Sequence, residues 1–191
     1  MESLFIKHLT SYENLSAEEI RQVLSFVNIT SLQKNQVLLR EGDVCQWVSF
    51  VESGLFMYYK LGESGDEISC DFAMENDWVS QYQSFITQQP SPIGIRALED
   101  SIVYQISAKA LQSLYAELPV FERISRQIVE KFFMMNLMRI DSFQNLKADE
   151  RYKRLLQSHP ILVQRVPQYY IAGFLGIAPQ SLSRIRKNIK P

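Results

Sequence analysis

Apolar and polar positions along this chain change their period twice. In SAEEIRQVLSFV, Ile20, Val23, Leu24 and Val27 recur at three- and four-residue steps behind a Ser16/Glu19 capping box, predicting helix within residues 1 to about 30. From about Ser31 the runs VLLREGD, WVSFVESG, LFMYYKLGESGDEISCDFAM and IGIRALEDSIVYQIS favour strands, with Gly42, Gly54 and Gly65 in turn contexts about 11 to 12 residues apart. Strands spaced in this way predict a double-stranded β-roll or jelly roll. After Ser107 the helical period returns. Ala108 to Leu118 reads as a short helix stopped by Pro119, and a longer helix follows from about Val120 to Asn145.

Along that longer helix Phe121, Ile124, Ile128, Phe132, Met135 and Met138 form one stripe, which Phe133, Met134 and Leu137 widen. A helix apolar on more than one face can be buried twice, by its own domain and by a second subunit. Phe121, Ile124, Ile128, Phe132 and Met135 are therefore expected to line a homodimer seam, ordinary core packing in a monomer being the other reading. The remaining segment predicts three helices, in ADERYKRLLQSHP ending before Pro160, in VPQYYIAGFLG, and in APQSLSRIRKNI.

The last two of these have the spacing of a helix-turn-helix. Two helices crossing steeply need a small residue at their contact, supplied by Ala172, and a glycine where the first helix stops in a left-handed conformation, supplied by Gly176. Leu182 and Ile185 turn toward Ile171 and Leu175, and Pro179 suits a first helical turn. Gln180, Ser181, Ser183, Arg184 and Lys187 are left facing outward, as groups that hydrogen-bond base edges and phosphates.

Charge sharpens this expectation. The net charge is -1, yet from Lys147 onward nine Lys and Arg face two Asp and Glu, leaving the first 146 residues at -8. A basic tail on an acidic body points to a polyanion partner for the tail alone, a solvated charged face being the plainer reading. With 46% hydrophobic residues, a packed core is expected. No apolar run approaches membrane-helix length and no secretory pattern opens the chain, so a cytoplasmic protein without membrane contact is expected. Cys45 and Cys70 could pair, but in that setting reduced thiols are the commoner case. G-x-S-x-G, P-loop and H-E-x-x-H motifs are lacking, and an iron-sulfur cluster would need about four thiolates. His8 and His159, read as exposed or capping groups, supply no metal set. The expectation is a non-enzyme with no cofactor and no metal.

REGDVCQWVSFVESGLFMYY and GDEISCDFAMENDWV resemble the glycine turns and strands of a cyclic-nucleotide-binding domain. Together with IAGFLGIAPQSLSRIRKNI they make the chain similar to the Crp-Fnr family of bacterial transcription regulators along nearly its whole length. The LSRIRK ending is similar to the compact subgroup common in Bacteroidetes-type bacteria. The resemblance implies an α+β architecture: a cyclic-nucleotide-binding-like β-roll sensor with flanking helices over 1–118, a dimerisation helix over 119–146, and an all-α helix-turn-helix domain over 147–191. It also implies a homodimer on an inverted-repeat DNA operator, RNA polymerase as a further partner if the protein activates, and an unknown small-molecule effector. Carried over by position, Pro179, Gln180, Ser181 and Arg184 face the major groove, while Tyr169 and Tyr170 approach phosphate.

Two departures stand out. Ala178 replaces the usual Ser or Thr helix cap, forgoing about 1 kcal/mol. Nucleotide-binding members hold the cyclic phosphate with a Gly-Glu pair and then an Arg-Ser or Arg-Thr pair. Here Ser80 and Gln81, then Ser91 and Pro92, stand in those places, with Arg96 nearby but out of position. The expected function is a sequence-specific DNA-binding regulator whose sensor lacks that clamp. The alternative is a ligand-sensing β-roll whose basic helices dock a protein.

Overall fold

The computed structural model describes residues 3–63 and 65–189. The first two residues of the helical stretch expected over 1–30 and the last two of the expected 147–191 domain lie outside them. The N-terminal stretch forms α1 (Leu4–Thr10) and α2 (Ala17–Ser25), the latter started by the capping box. Glu19 N–H donates to the Ser16 hydroxyl at 3.2 Å and Ser16 N–H to the Glu19 carboxylate at 2.7 Å. The bond from the Ser16 backbone holds the Glu19 carboxyl below its ordinary range.

The β-rich stretch forms β1 (Asn28–Leu32), β2 (Val37–Leu39), β3 (Trp47–Ser53), β4 (Leu55–Leu61), β5 (Glu67–Met74), β6 (Trp78–Val79), the short α3 (Tyr82–Thr87), β7 (Gly94–Ala97) and β8 (Ser101–Ser107). They assemble into two four-stranded sheets, ordered β1-β8-β3-β6 and β2-β7-β4-β5. Antiparallel pairing sets Ser49 opposite Gln105 and Val51 opposite Val103 on one face, and Phe50 opposite Tyr104 on the other. That second face is covered by α1, whose Phe5 ring lies 5.5 Å from Phe50 and 5.1 Å from Tyr104. Burial on both faces explains why β3 reads as a continuous apolar run rather than a strict alternation.

The structure corrects the reading of His8. Its side chain is buried, with Nδ1 3.0 Å from the Asn76 side-chain Oδ1 and Nε2 accepting from the Trp78 indole at 3.1 Å. An aromatic cage of Phe50, Trp78 and Tyr12 surrounds it. His159 is exposed, as expected, and bonds Ser158.

The helical remainder comprises α4 (Ala108–Glu117), α5 (Pro119–Asn145), α6 (Ala148–Ser158), α7 (Pro160–Arg165), α8 (Gln168–Phe174) and α9 (Pro179–Asn188). Where three helices were expected after Asn145 there are four, because Pro160 occupies the first turn of α7 as well as closing α6. The chain forms two compact units. One holds residues up to 58 together with 72–130, the other 59–71 together with residues from 131 onward. In the first unit Phe121, Ile124 and Ile128 are buried in the β-roll core, Phe121 at 1% exposure. This part of the expected dimer seam belongs to the chain's own core. Phe132 and Met135, beyond it, are exposed.

Candidate nucleic-acid interface

Helices α8 and α9 meet through Ile171, Ala172, Leu175 and Leu182, all buried, while Ile185 is half-buried. The turn between them is a Schellman motif. Gly176 takes φ +67°, its N–H donates to the Gly173 carbonyl at 2.9 Å, and the Ile177 N–H reaches the Ala172 carbonyl at 3.0 Å. A side chain at position 176 would carry the strain of the left-handed region. Arg151, which the sequence did not single out, braces this turn. Its guanidinium donates to the carbonyls of Leu146 and Leu175, each at 2.8 Å, and lies 4.9 Å from the Phe143 ring. No local spacing announces a bond across 24 residues.

Pro179, Gln180, Ser181, Ser183, Arg184 and Lys187 are all exposed on α9. Helix α9 starts at Ala178, which makes no side-chain cap bond, with Pro179 in the first turn. The first-turn donors of α9 thus lack the side-chain acceptor that a Ser or Thr would bring, at the end where the helix dipole favours anions. Tyr169 is 54% exposed, and its ring stands edge-on to that of the half-buried Tyr170 at 5.6 Å. With the exposed Arg186 and Asn188, α9 presents two guanidiniums, one ammonium, two hydroxyls and two carboxamides, a set suited to phosphates and base edges.

The segment corresponding to the phosphate clamp lies in the first unit and is bonded differently. Ser80 Oγ donates to the Trp47 carbonyl at 3.1 Å, and the Gln81 side-chain oxygen accepts from the Ser84 N–H at 2.6 Å. Ser91 is buried and donates to the Ile93 carbonyl at 2.6 Å, and Pro92 is exposed. Strand alternation puts Arg96 on the face of β7 opposite Ile95, which lines the interior of the roll. That interior holds a cavity of about 210 Å³, with Cys45, Ser49, Ser80 and Gln105 in its wall. Gln105 donates to the Ser49 hydroxyl at 3.1 Å and accepts from Thr30 at 2.6 Å. Cys70 sits in the second unit, where burial pushes its thiol above the ordinary range. Both cysteines are free. Among the described residues, no helix is long and apolar enough to cross a membrane.

A model of the cyclic nucleotide-binding domain matches residues 29–117. The transcriptional activator protein Anr of Pseudomonas protegens is 29% identical over 167 residues, covering 81% of this chain and 67% of that protein. The anaerobic regulatory protein of Haemophilus influenzae is 26% identical over 138 residues, covering 72% of this chain and 53% of its own length. Among solved structures, the c-di-GMP responsive global regulator CLP of Xanthomonas campestris aligns over 91% of each chain with a TM-score of 0.69 at 20% identity, a likeness of fold. A β-roll of this domain type, followed by a helix-turn-helix and matched by regulators of this kind, makes the chain similar to the Crp-Fnr family of transcription regulators.

Proposed function

We propose that this chain is a dimeric, sequence-specific DNA-binding transcription regulator, with α9 as the recognition helix. The observation that carries the reading is the state of α9. Its outer side chains are exposed and make no hydrogen bond among the described residues, while its inner ones complete a braced helix-turn-helix. Arg184 is assigned to base reading, because a guanidinium can contact guanine O6 and N7 together. Gln180, Ser181 and Ser183 accompany it in the groove. Lys187, Tyr169 and Tyr170 are assigned to the DNA backbone, and Pro179 sets the entry of the helix. The name of the relative from Pseudomonas protegens favours activation, which would add RNA polymerase as a partner.

Dimerisation is supported by the second half of α5. Phe133, Met134, Met138 and Ile140 are exposed, Met138 at 63%, and extend the apolar surface beyond Phe132 and Met135. An apolar stripe of this kind is unfavourable in water and complementary to a second copy of itself. Replacing Met138 or Phe133 with Glu should give folded monomer in sedimentation, since a carboxylate in the seam costs several kcal/mol. A variant that stays dimeric would move the interface elsewhere.

The sensor is proposed to lack the cyclic phosphate clamp. Ser80, Gln81 and Ser91 bond within the roll and Pro92 has no N–H, so these four positions offer a buried phosphate no cation, Arg40 being the cation that lines the cavity. The effector remains an unidentified small molecule. Selection from a random oligonucleotide pool tests the function as a whole. It should enrich an inverted repeat whose half-sites lie about 34 Å apart, with binding that weakens steeply as salt rises. A pool without enrichment would favour docking of a protein on the basic helices.

A further inference from the structure

In the second unit the first half of β5 lies against the helix-turn-helix. Ser69 donates its hydroxyl hydrogen to the Tyr170 carbonyl in α8. Gly173 permits the approach, because a Cβ there would stand 2.7 Å from Ser69 Oγ. Arg139 of α5 closes the contact from the other side. Its guanidinium pairs with Asp71, donates to the Cys70 carbonyl, and stacks 4.6 Å from the centre of the Phe174 ring in α8. One planar cation thus clasps a strand and a helix at once, a role that a lysine's point charge would not reproduce. Farther along, Glu67, Ile68 and Ser69 face Tyr169, Gly173, Ile177 and Pro179 across a gap of about 130 Å³.

Two of the residues across that gap, Tyr169 and Pro179, belong to the edge assigned above to DNA. Glu67, Ile68 and Ser69 line the gap from the strand side, so the strand occupies the space beside that edge. We propose that β5 is a latch that competes with DNA for the Tyr169–Pro179 edge, and that DNA binding requires this strand to release α8. The inference rests on the DNA-binding reading of α8 and α9 and adds its regulation. The strand continues from Asp71 into Phe72–Met74 of the first unit, so the latch strand is covalently continuous with the β-roll. Linkage makes the coupling reciprocal: whatever loosens the latch tightens DNA binding, and DNA in turn loosens the latch.

The test uses the full chain and the duplex enriched by selection. Ser69→Ala removes the hydrogen bond without changing charge, and Asp71→Asn weakens the clasp. A net hydrogen bond of ordinary strength predicts roughly two- to tenfold tighter duplex binding by anisotropy for each variant, and more for the pair together. Hydrogen exchange at Ile68 to Asp71 should be faster in both variants, and faster in the wild type once DNA is added. Cooperative thermal unfolding of each variant shows that the fold is retained, and either variant alone suffices if the other fails to fold. Faster exchange without tighter binding, or protection of the strand on adding DNA, would overturn the latch alone. Failure of wild type and variants alike to bind any duplex would overturn the DNA reading and the latch with it.

Discussion

Two segments of this molecule correspond in position to those through which the Crp-Fnr regulators it resembles would meet a phosphate, and they treat similar residue types in opposite ways. At the clamp positions of the first segment, Ser80, Gln81 and Ser91 turn their polar groups to the chain itself. The serines donate to carbonyls of Trp47 and Ile93, and Gln81 caps α3 by accepting from Ser84. Along α9, Gln180, Ser181 and Ser183 are of the same kinds but point to solvent. Residue type alone separates the segments poorly. The difference lies in whether a group's hydrogen-bonding capacity is satisfied within the fold, because a satisfied group must lose a bond before it can bind a ligand.

The comparison can be broken most strongly at the β-roll. Calorimetry with micromolar cyclic AMP should show no heat, because a missing bidentate charged contact costs about 2 to 5 kcal/mol. Tight binding that disappears in Arg96→Ala would mean that this arginine reaches the pocket after all. At α9 the expected effect is smaller. Arg184→Ala should weaken the selected duplex by roughly 1 to 3 kcal/mol and flatten preference at one base position, whereas Lys187→Ala should weaken all sequences alike. Equal losses on selected and random DNA for Arg184→Ala would remove it from base reading. The finest probe is Ala178→Ser. A serine cap should stabilise the fold by about 1 kcal/mol, measured by thermal unfolding. If the first-turn N–H groups of α9 are used for phosphate, the same change should slightly lower DNA affinity.

How much was legible beforehand depended on the range of the interaction. The helix-turn-helix is local: Ala172, Gly176 and Leu182 lie within a dozen residues, and each has a steric reason that spacing reveals. The capping box at Ser16 is shorter still, and it formed as read. The long helix was legible as a helix, but its stripe did not say which turns the chain itself would cover. Phe121, Ile124 and Ile128 look like Phe132 and Met135 in sequence, and only the fold of the roll distinguishes them. His8, Arg151 and Arg139 were missed for the same reason. Their partners Trp78, Leu175 and Asp71 are distant in the chain, and no periodicity points to them. Pro160 misled because proline marks a helix start as readily as a stop.

The placement of the indoles has a practical consequence. The chain has two tryptophans, Trp47 and Trp78. Trp47 lines the cavity of the roll, and Trp78 donates to His8 at 3.1 Å beneath the first helix. The second unit has none. Intrinsic tryptophan emission is therefore a reporter confined to the sensor unit. A small molecule entering the cavity changes the surroundings of Trp47 directly, and removing His8 changes those of Trp78. DNA laid on α9 meets only the weaker tyrosine signal of Tyr169 and Tyr170. An emission change on adding DNA, in a chain with no label attached, would be a direct spectroscopic sign that the recognition helix communicates with the β-roll.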